Sequence, residues 1–490
     1  MENVLLNSQS HDLSMDKETY LKRYAAFQTT RDKVSQDPWR LTYHIQPESG
    51  WLNDPNGLCQ FQGVYHMYYQ YSPFDVEGKT KVWGHVTSRD FIHYRQEEPV
   101  LFPDQRCDER GVYSGSAYVE DDMIHYYYTG NVKRTDRSDY DYIYEGREQN
   151  LIHTTSNDGY HFNEKQWLLT NEDYPDTMSC HVRDPKVFKK EDRYYMVIGA
   201  RSKRDQGCVL LYQSEDLLTW SYHMCITTKE PFGYMWECPD LFALDGQLFL
   251  MVCPQGVDAK GYEYANVHQC GYFPLTLDLE KKTYDLQAFH QLDRGFDFYA
   301  PQSFVDESGR RIMIGWMGLP DIEYQNPTVE HGWQHALAMP RELKQYQGVL
   351  YQQPLQEMHQ LRSTYYKGSI SAFSSCIASS YECHIQVEKQ NSFVLQLRQG
   401  ALLSYHQSTR VLSLTFDACG YGRSERCVSL HEVKDITIYA DTSSFEIFIN
   451  QGVEVFTSRV YAPSTDKELK WITTLEGTMS VYELSQFTIE

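Results

Sequence analysis

Three short motifs hold the residues best suited to chemistry: Trp51-Leu-Asn-Asp-Pro-Asn-Gly57, Arg183-Asp-Pro185 and Trp236-Glu-Cys-Pro-Asp240. Their acids, Asp54, Asp184 and Glu237, are far apart in the chain, and a structural repeat would bring them to one axis. Cleaving a glycosidic bond passes through a cation-like sugar. It needs one carboxylate to attack or stabilise the anomeric carbon and a second acid to protonate the leaving oxygen. Two different environments are therefore required. Amide and backbone N–H donors around Asn53 and the Pro55-Asn56-Gly57 turn predict an ionised Asp54 of low pKa, suited to a nucleophile. Met235, Trp236, Cys238 and Pro239 predict an apolar setting that keeps Glu237 protonated, suited to acid/base work. Asp184 follows Arg183, whose fork of donors would orient it. A third carboxylate that stays ionised would bind ring hydroxyls more strongly as positive charge develops. Taken singly, Asn-Asp-Pro-Asn-Gly is a turn by composition, and Arg-Asp-Pro is more often a surface ion pair. Their common phase makes the set specific.

That phase comes from a repeat. Five apolar runs begin near Tyr65, Met123, Tyr194, Leu248 and Arg311, a period of about 50 to 70 residues. Each follows a polar or Gly/Pro-marked position: Asp54, Ser114-Gly115, Asp184, Glu237 and Asp297. A third element, Ser-x-Asp-x-x-x-aromatic, recurs from Ser88, Ser156 and Ser214 and predicts a turn followed by an outer strand. Several short strands repeated radially are the sequence form of a β-propeller. The fold class expected is all-β: a five-bladed β-propeller followed by a C-terminal β-sandwich. Residues 1–36 read as a helical extension, capped by Ser14 and packed on a blade through Leu21, Tyr24 and Ala25. Residues 37–345 read as the propeller, 346–365 as a linker and 366–490 as the sandwich, the last from alternating strands such as HIQVEK and FEIFIN.

Composition agrees. The 490 residues exceed what one core usually holds, and 14% aromatic content with 39 Tyr suits β-structure and sugar-stacking surfaces. A net charge of −22 without long Lys/Arg runs argues against nucleic acid or an anionic membrane as partner. A small-molecule sugar is the partner expected, with a monomer or homodimer as the assembly. The polar first 22 residues carry no signal-peptide pattern, so the chain reads as cytoplasmic. Twelve scattered cysteines, without CxxC or zinc spacing, read as buried free thiols rather than disulfides or metal ligands. Cys238 beside Glu237 invites a nucleophile reading, but no His accompanies it.

The chain resembles glycoside hydrolase family 32, the invertases and fructosidases, and within it the sucrose-6-phosphate hydrolase group. The resemblance runs from about Tyr43 to the C-terminus. It rests on the three motifs above and on Tyr68-Tyr-Gln70, Val82-Trp-Gly-His85, Tyr113-Ser-Gly115, Asp297-Phe-Tyr-Ala300, Ile314-Gly-Trp-Met317 and Pro340-Arg-Glu-Leu343. It implies Asp54 as nucleophile, Glu237 as acid/base and Asp184 as transition-state stabiliser, with no metal or organic cofactor. It also implies substrate contacts from Asn53, Gln70, Trp83, Ser114 and Arg183, with Trp316 as a wall. Core packing is the competing reading for Trp83 and Trp316. The family's Cys-Phe-Ser-Gly string appears here as Val112-Tyr113-Ser114-Gly115, which puts Tyr113 in the pocket wall. Glu446 in the C-terminal region reads as structural. The implied reaction is retaining hydrolysis of terminal β-D-fructofuranosides, sucrose or sucrose 6-phosphate. The alternatives are a non-catalytic carbohydrate-binding propeller and a fructan hydrolase or fructosyltransferase of the same family.

Overall fold

The computed structural model describes residues 15–135, 141–463, 465 and 467–490. Inner strands Gly50–Phe61, Val112–Glu120, Met178–Lys190, Met235–Leu244 and Tyr299–Val305 each begin an antiparallel four-stranded sheet, extended in some by short extra strands. These inner strands neighbour one another in a closed ring, the first lying beside both the second and the fifth. The apolar runs noted in the sequence form the second strand of each sheet. Val64–Ser72 is buried along nearly its whole length because sheets stack on both of its faces. The result is a β-propeller.

Every inner strand is broken by a register shift, at Leu52/Pro55, Val112/Gly115, Arg183/Lys186, Glu237/Asp240 and Tyr299/Gln302. A bulge re-aims the side chains beside it. Three of these breaks hold a non-glycine residue in the left-handed region directly before proline: Asp184 at φ 66°, Cys238 at 49° and Ala300 at 47°. Such a conformation costs about 1–3 kcal/mol at each position and persists only where surrounding structure enforces it. In the first sheet Gly57 takes the left-handed role at φ 53°, where a Cβ would meet the Tyr68 ring at 2.7 Å.

The Ser-x-Asp repeats form the same turn three times. Ser88, Ser156 and Ser214 accept from the backbone N–H three residues on, at 2.9, 2.9 and 3.0 Å. Asp90, Asp158 and Asp216 cap the next N–H groups, and Phe91, Gly159 and Leu217 are left-handed. Each turn leads to the outer strand of its sheet.

Two six-stranded sheets form the C-terminal β-sandwich, with Ile385, Leu395, Leu403, Ile438, Ile447 and Phe456 among the residues facing inward. Its last strand, Thr488–Ile489, pairs with His93–Tyr94 on the edge of the first propeller sheet. A buried ionic seam joins the two parts. His44 lies between Asp441 at 2.8 Å and Glu446 at 2.9 Å, Arg341 contacts Glu446 at 2.5 Å, and Arg423 contacts Asp297 at 2.7 Å.

Three expectations change here. The stretch 346–365 is not a free linker: Val349–Pro354 is the outer strand of the fifth sheet, Gln356–Leu361 is a 3₁₀ turn and Arg362–Ser369 already belongs to the sandwich. Asp297 occupies the repeat phase but turns to Arg423 in the seam, because the sandwich covers that end of the strand. Two helices, Lys17–Ala26 and Gln28–Ser35, do form in the N-terminal extension. The first is capped by Asp16, accepting from Thr19 N–H at 2.7 Å, the second has no side-chain cap, and Ser14 lies outside the described residues. Tyr20 packs on Phe74 and Phe102 of the first sheet's surroundings, with Tyr24 beside it, whereas Leu21 is exposed. Among the described residues no helix is long and apolar enough to cross a membrane.

Candidate active site

The bulges deliver the three acids to one place. Cys238 is the hub, held left-handed so that its N–H donates to Asp184 Oδ2 at 2.9 Å. Its Sγ lies 3.7 Å from the same oxygen and 3.9 Å from Asp54 Oδ2. Glu237 is its chain neighbour, and its charge acts on both Asp54 and Asp184. Three carboxylates from the first, third and fourth sheets thus share one site. Asp54 and Glu237 keep part of their surface open, while Asp184 is buried.

Asp54 sits in a closed hydrogen-bond ring. Asn53 Nδ2 donates to Asp54 Oδ1 at 3.0 Å and to Gln70 Oε1 at 2.8 Å. Gln70 Nε2 donates to Ser114 Oγ at 2.5 Å, and the Ser114 hydroxyl donates to Asp54 Oδ2. Asn53 Oδ1 accepts from Trp51 Nε1 at 2.8 Å and from Lys81 Nζ at 2.7 Å. The carboxyl is not held low as expected. Burial raises its pKa and the Glu237 charge raises it further, against the opposing bonds from Ser114 and Asn53. Asp184 is raised as well, by burial and by the charges of Glu237 and Asp54, with Arg183 pulling the other way.

Glu237 is set differently from the apolar pocket its neighbours suggested. Met235 and Trp236 are buried in the sheet packing, and the Glu237 carboxylate meets polar partners. The Arg183 fork grips Oε1 with Nε at 3.1 Å and Nη2 at 2.7 Å, and the Tyr299 hydroxyl donates to Oε2 at 2.7 Å. Arg183 therefore orients Glu237 rather than Asp184, its own chain neighbour. Behind it, Arg183 Nη1 donates to His181 Nδ1 at 2.8 Å, so the ring proton sits on Nε2 and faces the Tyr142 carbonyl at 3.1 Å. Burial, then the charges of Arg183, Arg147 and Arg201, push His181 down to about 2 and keep it neutral.

Asn53, Gln70, Ser114 and Arg183 are thus all at the acids. Trp83 is not: fully buried among Tyr68, Tyr126 and Tyr128, it donates its indole N–H to the Tyr113 carbonyl at 3.1 Å, so core packing prevails. Tyr113 supplies that carbonyl while its side chain stays half-buried. Trp316 is a buried wall packed against Trp51, His335 and Tyr299. The sequence reading missed Tyr299, Lys81 and His181. Tyr299 stood in the Asp297-Phe-Tyr-Ala300 string at the right phase, whereas Lys81 carried no signal. Every one of the twelve cysteines is free. Burial raises the Cys238 thiol, and the three nearby carboxylates raise it further, which leaves it un-nucleophilic.

A propeller with clustered acids and a sandwich behind it defines a glycoside hydrolase, and the chain belongs to glycosyl hydrolases family 32. The model of that family's N-terminal domain matches residues 44–354 and that of its C-terminal domain residues 355–489. Among its relatives are a sucrose-6-phosphate hydrolase of Bacillus subtilis, 36% identical over 95% of this chain and 98% of that protein, and one of Vibrio alginolyticus, 38% identical over 88% of each. Solved structures of similar fold include a sucrose-6-phosphate hydrolase from Lactobacillus gasseri, with a TM-score of 0.86, 27% identity and coverage of 95% and 97%. A Bombyx mori β-fructofuranosidase superposes with a TM-score of 0.84, 28% identity and coverage of 97% and 100%.

Proposed function

We propose that the protein hydrolyses terminal β-D-fructofuranosides, sucrose or sucrose 6-phosphate, with retention at the anomeric carbon. The observation that carries this reading is the convergence of Asp54, Asp184 and Glu237 around Cys238, with Asp54 and Glu237 in separate hydrogen-bond surroundings. Asp54, fixed through both oxygens by Asn53 and Ser114, attacks the anomeric carbon while Glu237 protonates the departing glucosyl oxygen. Water deprotonated by Glu237 then frees fructose from the covalent intermediate and restores both carboxyl groups. Asp184, held by the Cys238 N–H, accepts from ring hydroxyls as positive charge builds. Tyr299 and Arg183 keep Glu237 aimed at the leaving oxygen. The relatives' names support the phosphorylated sugar as substrate, and a cytoplasmic location fits a phosphorylated sugar.

The test is release of glucose and fructose from sucrose, alongside glucose 6-phosphate from sucrose 6-phosphate, with kcat/KM compared for the two. Asp54→Asn should abolish both activities. Saccharide binding without any release of fructose by the unaltered protein would instead identify a carbohydrate-binding propeller.

A further inference from the structure

Lys81 is a nearly fully buried cation on the nucleophile's side of the site. Its Nζ lies 2.7 Å from Asn53 Oδ1 and 4.9 Å from the Trp51 ring centroid. Its contact with Asn53 has a consequence for the whole ring. An ammonium can only donate, so Asn53 must turn its oxygen to Lys81 and its amide nitrogen to Asp54 and Gln70. Gln70 must then present its nitrogen to Ser114, which leaves the Ser114 proton for Asp54 Oδ2. Turning the Asn53 amide over would set its oxygen against two acceptors and its nitrogen against two donors.

Resting on the fructosidase reading above, we propose that Lys81 is a positioning residue of the hydrolysis, fixing through Asn53 the direction of the hydrogen-bond ring that holds Asp54 for attack. Trp51 Nε1 donates to the same oxygen but carries no charge, so Lys81 alone adds an ionic bias toward a carboxylate at Asp54. The charged and titratable groups acting on or sensing Lys81 are Asp54, Asp75, Lys133 and His335. Burial, opposed by Asp54 and Asp75, brings its ammonium down to about 8, so the bias disappears as pH rises through that value.

Kinetics with sucrose and with p-nitrophenyl β-D-fructofuranoside test this, because an activated leaving group removes most of the need for a proton donor. In the unaltered enzyme, kcat/KM should fall above about pH 8 for both substrates. A fall confined to sucrose would belong to the acid on the leaving-group side and would overturn the proposal, whatever the variants do. Lys81→Met should lower kcat about 10- to 100-fold with KM little changed, and should abolish the alkaline fall on the p-nitrophenyl substrate. Lys81→Ala should regain activity when propylamine is added. Wild-type kcat in Lys81→Met, or folded variants that are slow yet keep the alkaline fall and ignore the amine, would reduce Lys81 to packing. Failure of the unaltered enzyme to release fructose would sink the parent reading instead.

Discussion

Arg183 and Glu237, 54 residues apart on the inner strands of adjacent sheets, meet through two hydrogen bonds at 3.1 and 2.7 Å from the guanidinium to one carboxylate oxygen. Two donors on Oε1, with the Tyr299 hydroxyl on Oε2, fix the direction of the carboxyl group, and an ammonium in place of the guanidinium cannot reproduce the two-donor geometry. Arg183→Lys should therefore lower kcat/KM on sucrose by about 100-fold. The loss should be smaller on p-nitrophenyl β-D-fructofuranoside, which depends less on proton donation. Equal losses on both substrates would mean that Arg183 acts on the sugar rather than through Glu237.

Burial and mutual repulsion raise Asp184 above the usual carboxylate range, so its ionised form is disfavoured in the folded protein. With the folded pKa above the unfolded one, this acid subtracts stability above its folded pKa, and the loss disappears as pH falls toward the unfolded value. Asp184→Asn should raise Tm at pH 8 by about 2 °C or more, while removing activity. Calorimetry at pH 8 and pH 4.5 checks this, since the gain should vanish at the lower pH.

In the seam, burial opposes the charge on His44, but the hydrogen bonds and charges of Asp441 and Glu446 win and push it up to about 9. A folded pKa above the unfolded value of about 6.5 contributes stability that is complete below pH 6.5 and is lost as pH rises through 9. Thermal scans of the unaltered protein should show Tm falling across that window. His44→Asn should start lower and lose the slope.

Glu446 accepts from His44, from Arg341 and from the Met339 N–H, all buried. Glu446→Ala takes one of two carboxylate partners from each of two buried cations, leaving His44 with Asp441 and Arg341 with Asp293, and should cost about 3 kcal/mol. Denaturant unfolding measures the loss. Activity per folded molecule at 20 °C should stay near normal, because Glu446 bonds to His44, Met339 and Arg341 and to none of the three acids or Cys238.

Much of this was readable in the chain. The second strand of each sheet is buried on both faces, so it had to be a continuous apolar run, and five such runs gave the repeat period. Ser88-Arg-Asp90 and its two counterparts fix their turns through local hydrogen bonds, which is why that motif could be read without a partner. Asp54, Asp184 and Glu237 shared a phase because each sits at the bulge of an inner strand. What the sequence could not supply was the partner of each charge. Arg183 looked assigned to Asp184 by adjacency, but successive side chains leave a strand on opposite sides and the left-handed turn at Asp184 sends the guanidinium across to the next sheet. Asp54 looked ionised and low in pKa from its local donors, but the burial and the Glu237 charge that raise it come from sheets far along the chain. Asp297 kept the repeat phase and was claimed by Arg423 of the sandwich. Residue type and spacing determined that three acids would meet; burial and contacts across sheets, which exist only once the ring has closed, decided which neighbour holds each acid and where its proton equilibrium lies.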